Sequence, residues 1–238
     1  MIKEAIQYLV SLKENKTYEI CGETYSDREL VRIPPHVARP ARISVTGLDS
    51  IVKLVRNELD MFDNLPLFIR VDGARQVSVF TTYDGEMERD NLYEAKCDVP
   101  GFRDGFRSIE SAIIELRSKF APGEGTEYLL DLLSRVSMDN GVVTRDNGVS
   151  QEVEARSGIS LKSMLQVRPR VVLRPYRTFL EVEQPESEFL LRMDAEEGVG
   201  LFEADGGMWA MEAKRRIMAY FEEKLADEVG GGKVVVMM

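Results

Sequence analysis

Asp84, Glu94 and Lys96 stand in the order Asp…Glu-x-Lys, an arrangement found in many metal-dependent nucleases. In such sites the carboxylates hold Mg²⁺ and the lysine helps to activate water. The same spacing is common by chance, and Glu94 and Lys96 also alternate as two outward-facing residues of a strand would. The pattern therefore favours a charged strand and leaves a nuclease as a minor alternative.

A second charged segment is "LRPYRTFLEVEQPESEFLLRM", residues 173–193. Alternation with period two predicts a hairpin that is covered on one face and wet on the other. Its predicted inner residues are Tyr176, Thr178, Leu180 and Val182 on one strand, and Ser187, Phe189, Leu191 and Met193 on the other. The outer charges form either a solvated ladder, which we favour, or a ligand or partner surface. That surface would consist of Arg174, Arg177, Glu181, Glu183 and Arg192, with arginine forks suited to an anionic or nucleotide-like ligand.

A third candidate is the turn Asp205-Gly206-Gly207 within "EADGGMW". It ends a predicted strand and begins a predicted helix, so backbone N–H groups after Gly206 could receive an anion. The alternative, which we favour, is that the three residues only make the turn and cap the helix.

Other reactive constellations are missing from the sequence. His36 is the only histidine, and there is no His-Glu-x-x-His, no Gly-x-Ser-x-Gly and no glycine-rich phosphate loop. Cys21 and Cys97 are isolated, so we expect reduced, semi-buried thiols and neither a disulfide nor a metal clip. We accordingly expect no enzymatic activity and no cofactor.

Composition and charge set further bounds. Of 238 residues, 44% are hydrophobic and 30% are charged, which is typical of a folded globular chain. The net charge of −10 argues against an unspecific grip on duplex DNA. The apolar runs are too short to span a membrane, and "MIKEAIQYLVSLKENK" predicts an amphipathic helix and not a secretion signal. We therefore expect a cytoplasmic protein.

The pattern of elements predicts an α+β fold, with antiparallel sheets or hairpins, packed amphipathic helices and a β-rich C-terminal half. The predicted N-terminal part, residues 1–138, has a strand at Arg42–Val45, a helix over 48–60 capped by Thr46, a β-meander over 66–98 and a helical hairpin over 107–137. The inner stripe of the first of these helices is predicted to be Leu48, Ile51, Val52, Val55 and Leu59. Turns are expected at Asp72-Gly73 and Asp84-Gly85, and Thr126 is expected to cap the last helix.

The remaining residues, 139–238, are predicted to be rich in strands. Asn147-Gly148 suits the turn of a hairpin, "LKSMLQVRPR" is interpreted as a connector, and a helix over 208–227 precedes a terminal strand "KVVVMM". A boundary near residue 138 and a single continuous domain are both compatible with these patterns.

Four blocks of the sequence together resemble the YfdQ-like family of phage and prophage proteins. They are residues 36–55, 145–159, 173–193 and 201–213, which follow the family's order and span nearly the whole chain. Asn147 and the short N-terminal part depart from the family's pattern. The resemblance implies a gene of a tailed bacteriophage or prophage acting in the bacterial cytoplasm. It carries no mechanism and no catalytic residues.

Three functions are compatible with these observations. The first is an accessory protein that acts by binding a host protein or a small nucleotide-like ligand, with counter-defence as one role and homo-oligomers expected. The second is a helper of phage replication or recombination that binds single-stranded nucleic acid, using either Arg32, Arg39 and Arg42 or Arg168, Arg170, Arg174 and Arg177. The third is a virion component.

Overall fold

A computed structural model describes residues 2–11, 16–26, 32–33, 39–62, 65–136, 144–146, 151–157, 161–194 and 196–238. The chain divides into two units, Met1–Pro40 and Ala41–Met238. Helices and mixed or antiparallel sheets alternate along it, with strands concentrated in the C-terminal half, which confirms the α+β class. In the described part of the chain, no helix combines the length and the apolar character needed to cross a bilayer.

Within its described residues, the first unit contains a helix and a small antiparallel sheet. The helix α1 spans Ile2–Ser11, and the strands β1 (Thr17–Ile20), β2 (Glu23–Ser26) and β3 (Arg32–Ile33) lie in the order β1-β2-β3. Cys21 and Gly22 form the turn between β1 and β2 with φ of 55° and 82°, left-handed values that a two-residue hairpin loop requires. Cys21 is exposed at this turn, so the expectation that it is semi-buried is wrong.

A mixed five-stranded sheet organises much of the second unit. The predicted meander is confirmed as β5 (Leu67–Gly73), β6 (Gln76–Phe80) and β7 (Asn91–Lys96), which are antiparallel. Two further strands, β4 (Ile43–Val45) beside β7 and β15 (Val234–Met237) beside β5, are parallel to their neighbours. These two parallel pairs add to the antiparallel pairing that was expected, because each edge strand pairs with a strand distant in the chain.

Two helical segments cover one face of this sheet. One is α2 (Leu48–Glu58) with the 3-10 helix Leu59–Phe62, and the other is α5 (Met208–Lys224) followed by α6 (Ala226–Gly230). The predicted stripe on α2 is confirmed, since Leu48, Ile51, Val52, Val55 and Leu59 are all buried. They pack with Ile217 and Phe221 of α5 on the apolar side of the sheet, which forms the first hydrophobic core.

The second core lies between a helical hairpin and a four-stranded sheet. The sheet is antiparallel, in the order β12-β13-β14-β8, and consists of β8 (Gly105–Arg107), β12 (Arg170–Leu173), β13 (Ser187–Asp194) and β14 (Gly198–Glu203). The hairpin consists of α3 (Ile109–Lys119) and α4 (Glu124–Arg135), within the predicted range. Phe189, Leu191 and Met193 of β13 are buried as predicted, and they pack with Leu116 and Leu132 of the helices.

A third sheet corrects the interpretation of one segment. The antiparallel strands β9 (Thr144–Asp146), β10 (Gln151–Ser157) and β11 (Leu161–Val167) lie in the order β11-β10-β9. β11 occupies the segment that was expected to be a connector, because its seven residues pair along the full length of β10. β9 and β10 form the expected hairpin, while its predicted turn at Asn147-Gly148 lies outside the described residues.

Of the predicted hairpin of residues 173–193, the second strand is confirmed and the first is wrong. Its second strand is β13, but residues 174–186 form an irregular loop, and the partner of β13 is β12. Leu180, expected to point inward, is 65% exposed, whereas Arg177, expected to point outward, is 3% exposed. The alternating pattern does not predict this loop, because polar contacts to remote parts of the chain hold it.

Three local details also differ from expectation. α2 is preceded by Gly47 with no side-chain cap, so Thr46 does not cap it, and α4 begins before Thr126, whose hydroxyl donates to the Ala121 carbonyl. β5 continues through Gly73 past a bulge, and the turn falls on Ala74 and Arg75. Arg75 holds that turn by donating to the carbonyl oxygen of Val99 at 2.6 Å.

The boundary suggested near residue 138 lies outside the described residues. Each hydrophobic core takes residues from both sides of that position: Leu48 and Phe221 share the first core, and Leu116 and Phe189 share the second. The chain thus leaves the first core, builds the second, and returns with α5 and β15.

Candidate functional site

The loop of residues 174–186 joins the two cores and positions most of the predicted site residues. Phe179 and Val182 insert into the first core, while the backbone of Tyr176 pairs with Lys119 at the end of α3. Gln184, 4% exposed, accepts the amides of Arg177 and Thr178 at 3.0 and 3.2 Å. Buried polar groups that are satisfied in this way fix one loop conformation. No sequence signal identified Gln184.

Arg177 lies at the centre of a buried polar cluster. Its guanidinium donates to Glu203 and to the Ser187 hydroxyl, and its Cζ atom lies 4.1 Å from the centre of the Trp209 ring. Burial lowers the pKa of Arg177 and raises the pKa of Glu203, although each attracts the charged form of the other. Desolvation of a buried ion pair commonly offsets its attraction. Arg177 therefore has a structural role inside the fold and is not accessible to a ligand.

In the turn Asp205-Gly206-Gly207, the carboxylate of Asp205 occupies the position where an anion could bind. Gly206 and Gly207 have φ of 64° and 80°, and Asp205 accepts the Gly207 amide at 2.9 Å. Burial raises the pKa of Asp205, but hydrogen bonds from Ser187, Gly207 and Trp209 outweigh it and hold the pKa below its usual value. Asp205 thus takes the place that an external anion would need at the start of α5.

The other predicted residues fall in separate places. Glu181 accepts the amide of Leu48 at the start of α2, so it serves as the cap of that helix. Glu183 lies 3.1 Å from both Arg174 and Arg216. Arg192 lies opposite Gly200 on the sheet face that points away from α3 and α4. The structure joins Arg177 to Asp205 through Ser187, and Arg174 to Glu183, but it does not gather all eight residues.

A cleft lies between the first turn of α4 and the edge strand β12, with a volume of about 480 Å³. Gly125 permits the close approach of these elements, since a Cβ atom there would lie 2.1 Å from the Val172 carbonyl oxygen. Arg168, Arg170 and Arg174 line the cleft. The N-cap Gly123 has no side chain to satisfy the first amides of α4, and this end of a helix attracts negative charge.

Two of the three cleft arginines are only loosely paired. Arg168 lies 3.5 Å from Glu124 and Arg170 lies 3.4 Å from Glu188, whereas Arg174 lies 3.1 Å from Glu183 and also donates to the Pro122 carbonyl. The side chains of Arg168 and Arg170 are 61% and 66% exposed. Exposed ion pairs contribute only about 0–1 kcal/mol, so a bound anion can compete for these guanidinium groups.

An aromatic ring completes the cleft. The Cζ atom of Arg168 lies 4.6 Å from the centre of the Tyr128 ring, and the Arg168 amide donates to the Tyr128 hydroxyl at 3.0 Å. Glu124 and Glu186 add carboxylates to the lining. The cleft therefore offers cations and acceptors to a ligand, while the Tyr128 ring packs against the second core and holds Arg168 in place.

The nuclease-like residues do not assemble. Asp84 lies in the loop after β6 and accepts the amides of Glu86 and Glu88, whereas Glu94 lies on β7 opposite Ser78. Glu94 is 5% exposed and pairs with Lys96 at 3.1 Å and with Arg42 at 3.5 Å. Among the described residues, no group of three or more His, Cys, Asp or Glu side chains is arranged to hold a metal ion.

Comparisons of the chain with protein-family models, with curated proteins and with solved structures found no match. Two segments of the chain, residues 173–193 and 201–213, meet at Arg177, Ser187 and Asp205. Ser187 lies on β13, which pairs with β12 and so positions the arginine of that strand.

Proposed function

We propose that this protein acts by binding, and that its ligand is a nucleotide-like anion held in the cleft between α4 and β12. The observation that carries the proposal is the placement of Arg168, Arg170 and Arg174 around a cavity of about 480 Å³. That size is typical of small-molecule sites. Guanidinium groups bind phosphate oxygens in a bidentate manner, and two of these three are largely exposed.

The mixed lining favours a nucleotide over a simple inorganic anion. The arginines suit phosphate groups, whereas Glu124 and Glu186 are acceptors that suit ribose hydroxyls or the exocyclic amine of a base. An inorganic phosphate would use the arginines and be repelled by the two carboxylates.

The resemblance to YfdQ-like proteins supplies a setting for this activity. It supports a phage or prophage accessory protein that acts in the bacterial cytoplasm. A protein of this kind that sequesters a signalling nucleotide would serve in counter-defence. This part of the proposal rests on the sequence blocks alone.

A thermal-shift screen against mononucleotides, cyclic nucleotides and cyclic dinucleotides tests the proposal. A ligand present at 100 times its Kd adds about 2.7 kcal/mol of stability. For a chain of this size that corresponds to a rise in Tm of roughly 5–10 °C. Arg168→Ala and Arg170→Ala should each reduce the rise, while Arg117→Ala, on the exposed side of α3, should preserve it. A panel in which no nucleotide raises Tm contradicts the proposal.

A further inference from the structure

A second surface with recognisable chemistry lies on the five-stranded sheet, on the face opposite α2 and α5. Phe68 of β5 and Phe80 of β6 are paired across the two strands. Their ring centres lie 5.5 Å apart with an angle of 8° between the ring planes, so the rings are stacked. Both side chains are only half-buried, although a phenylalanine pair in a closed core would be covered completely.

Arginines and a tyrosine surround this stacked pair. The Cζ atom of Arg89 lies 4.6 Å from the ring centre of Phe68, 5.2 Å from that of Phe80 and 4.0 Å from that of Tyr83. Arg70, which is exposed, lies 5.4 Å from the Phe80 ring centre and pairs with Asp72 at 2.5 Å. Arg89 donates to the Thr81 carbonyl at 2.9 Å, and Tyr83 is 55% exposed. The rings and guanidinium planes thus form one continuous surface, on which Asp72 offsets part of the charge of Arg70.

A shallow cavity of about 350 Å³ opens on this surface, lined by Phe68, Arg70, Phe80, Arg89, Asn91 and Met237. The volume suits one or two nucleobases. The exposed amide of Asn91 offers both a donor and an acceptor to the edge of a base. Arg70 and Arg89 are placed at the rim, where phosphates of a strand running across the sheet would lie.

We infer that this face, defined by Phe68, Arg70, Phe80, Tyr83 and Arg89, binds single-stranded nucleic acid. Its unpaired bases stack on Tyr83 and on the Arg89 guanidinium, and the phosphates contact Arg70 and Arg89. Proteins that bind single strands combine aromatic rings on which bases stack with cationic groups that follow the backbone. The net charge of −10 disfavours a duplex, whose bases are already stacked and whose recognition depends on a broad positive surface.

Charge also argues against a second copy of the chain as the occupant. A symmetric dimer through this face would bring the arginines of both copies into one interface, and gathering like charges destabilises an interface. A polyanion meets the same arginines with opposite charge. A single strand is therefore the occupant that fits both the rings and the charges.

Fluorescence anisotropy of the full chain with a labelled oligothymidine of about 20 nucleotides tests this inference. Binding should appear at low salt and exceed binding of a matched duplex. Tyr83→Ala should weaken it about tenfold, the effect of one lost stacked base, while Tyr83→Phe retains it. Arg70→Ala should flatten the plot of log K against log salt by about 0.7. Arg117→Ala, away from this face, is the matched control for a lost arginine.

Four results would overturn the inference. The first is no binding of oligothymidine at low salt, and the second is equal binding by Tyr83→Ala and by the unchanged protein. The third is a loss of binding on Arg168→Ala with none on Tyr83→Ala, because that result places the strand in the cleft beside α4. Sedimentation velocity completes the test: self-association that Tyr83→Ala abolishes would assign the face to a second copy instead.

Discussion

The amide of Leu48 donates a 2.7 Å hydrogen bond to the Oε1 atom of Glu181, which lies 133 residues away in the chain. A loop between the two cores thereby caps the helix that begins the first core. The cap replaces the local one expected from Thr46, since the N-cap position is Gly47. Glu181 is consequently a structural residue, although the sequence suggested it as part of a ligand surface.

Gly47 and Glu181 should be energetically coupled. A Cβ atom at Gly47 would lie 2.5 Å from Glu181 Oε1, so Gly47→Ala should displace the carboxylate from the Leu48 amide. We expect Glu181→Ala to cost about 1 kcal/mol of unfolding free energy, the usual effect of a lost helix cap. Gly47→Ala should cost a similar amount alone and much less in the Glu181→Ala background. Urea unfolding of the four proteins measures this cycle, and strict additivity within about 0.5 kcal/mol would disprove the coupling.

Arg177 should be critical for stability and dispensable as a direct ligand contact. Arg177→Ala leaves Glu203 without its buried partner, and breaking a buried pair costs about 3–5 kcal/mol. Adding Glu203→Gln should recover part of the loss, because the orphaned charge is removed. Trp209 is the only tryptophan of the chain, so its emission reports the change directly. A decrease of less than about 1 kcal/mol in the free energy of unfolding would contradict this structural role, with exposed Arg117→Ala as the reference.

Gly125 should be required for the shape of the cleft. An alanine inside a helix normally stabilises it by up to about 1 kcal/mol relative to glycine. Gly125→Ala should instead destabilise the protein by about 1–3 kcal/mol. The new Cβ atom would meet the Val172 carbonyl oxygen and force α4 away from β12. Gly85→Ala, with no atom within 4 Å of the new Cβ atom, is the control. Thermal unfolding compares them, and a stabilised Gly125→Ala protein would show that the contact is not tight.

The stabilising effect of Asp205 should depend on pH. Its pKa is lower in the folded chain than in the unfolded one, so the carboxylate stabilises the fold above its unfolded pKa. That contribution is lost as pH falls through the folded value. The difference in Tm between the unchanged protein and Asp205→Asn should be constant above about pH 5 and shrink below about pH 4. The same comparison in the Glu203→Gln background removes Glu203, whose pKa the Asp205 charge helps to raise. A difference that grows on acidification would contradict the assigned direction.

Local patterns predicted the elements whose stabilising contacts lie on one periodic face. The stripe from Leu48 to Leu59 and the alternation of Phe189, Leu191 and Met193 are of this kind, because burial repeats with the helical or strand period. The edge strands β4 and β15 were predicted, but their parallel pairing was not, since nothing in a short apolar strand specifies the direction of a remote partner.

Sequence patterns predicted less of the candidate site, because its contacts also join residues that are distant in the chain. Thr178 donates to the carbonyl of Ala74, 104 residues away, and such contacts turn an apparently alternating segment into a loop. Tyr128 and Arg168 meet in the cleft although 40 residues separate them. The sequence predicts Arg168 and Arg170 only as members of a basic strip with Arg174 and Arg177. The structure divides that strip, because Arg177 turns inward.

The most direct test of a binding role is isothermal titration calorimetry with the nucleotide that gives the largest thermal shift. The account predicts one site per chain, and an affinity that falls at least tenfold in the Arg168→Ala/Arg170→Ala protein, because each charge-assisted hydrogen bond contributes about 1.5–3 kcal/mol. Arg117→Ala should bind like the unchanged protein. Equal affinity of the double variant and the unchanged protein would contradict the assignment of the cleft as the ligand site.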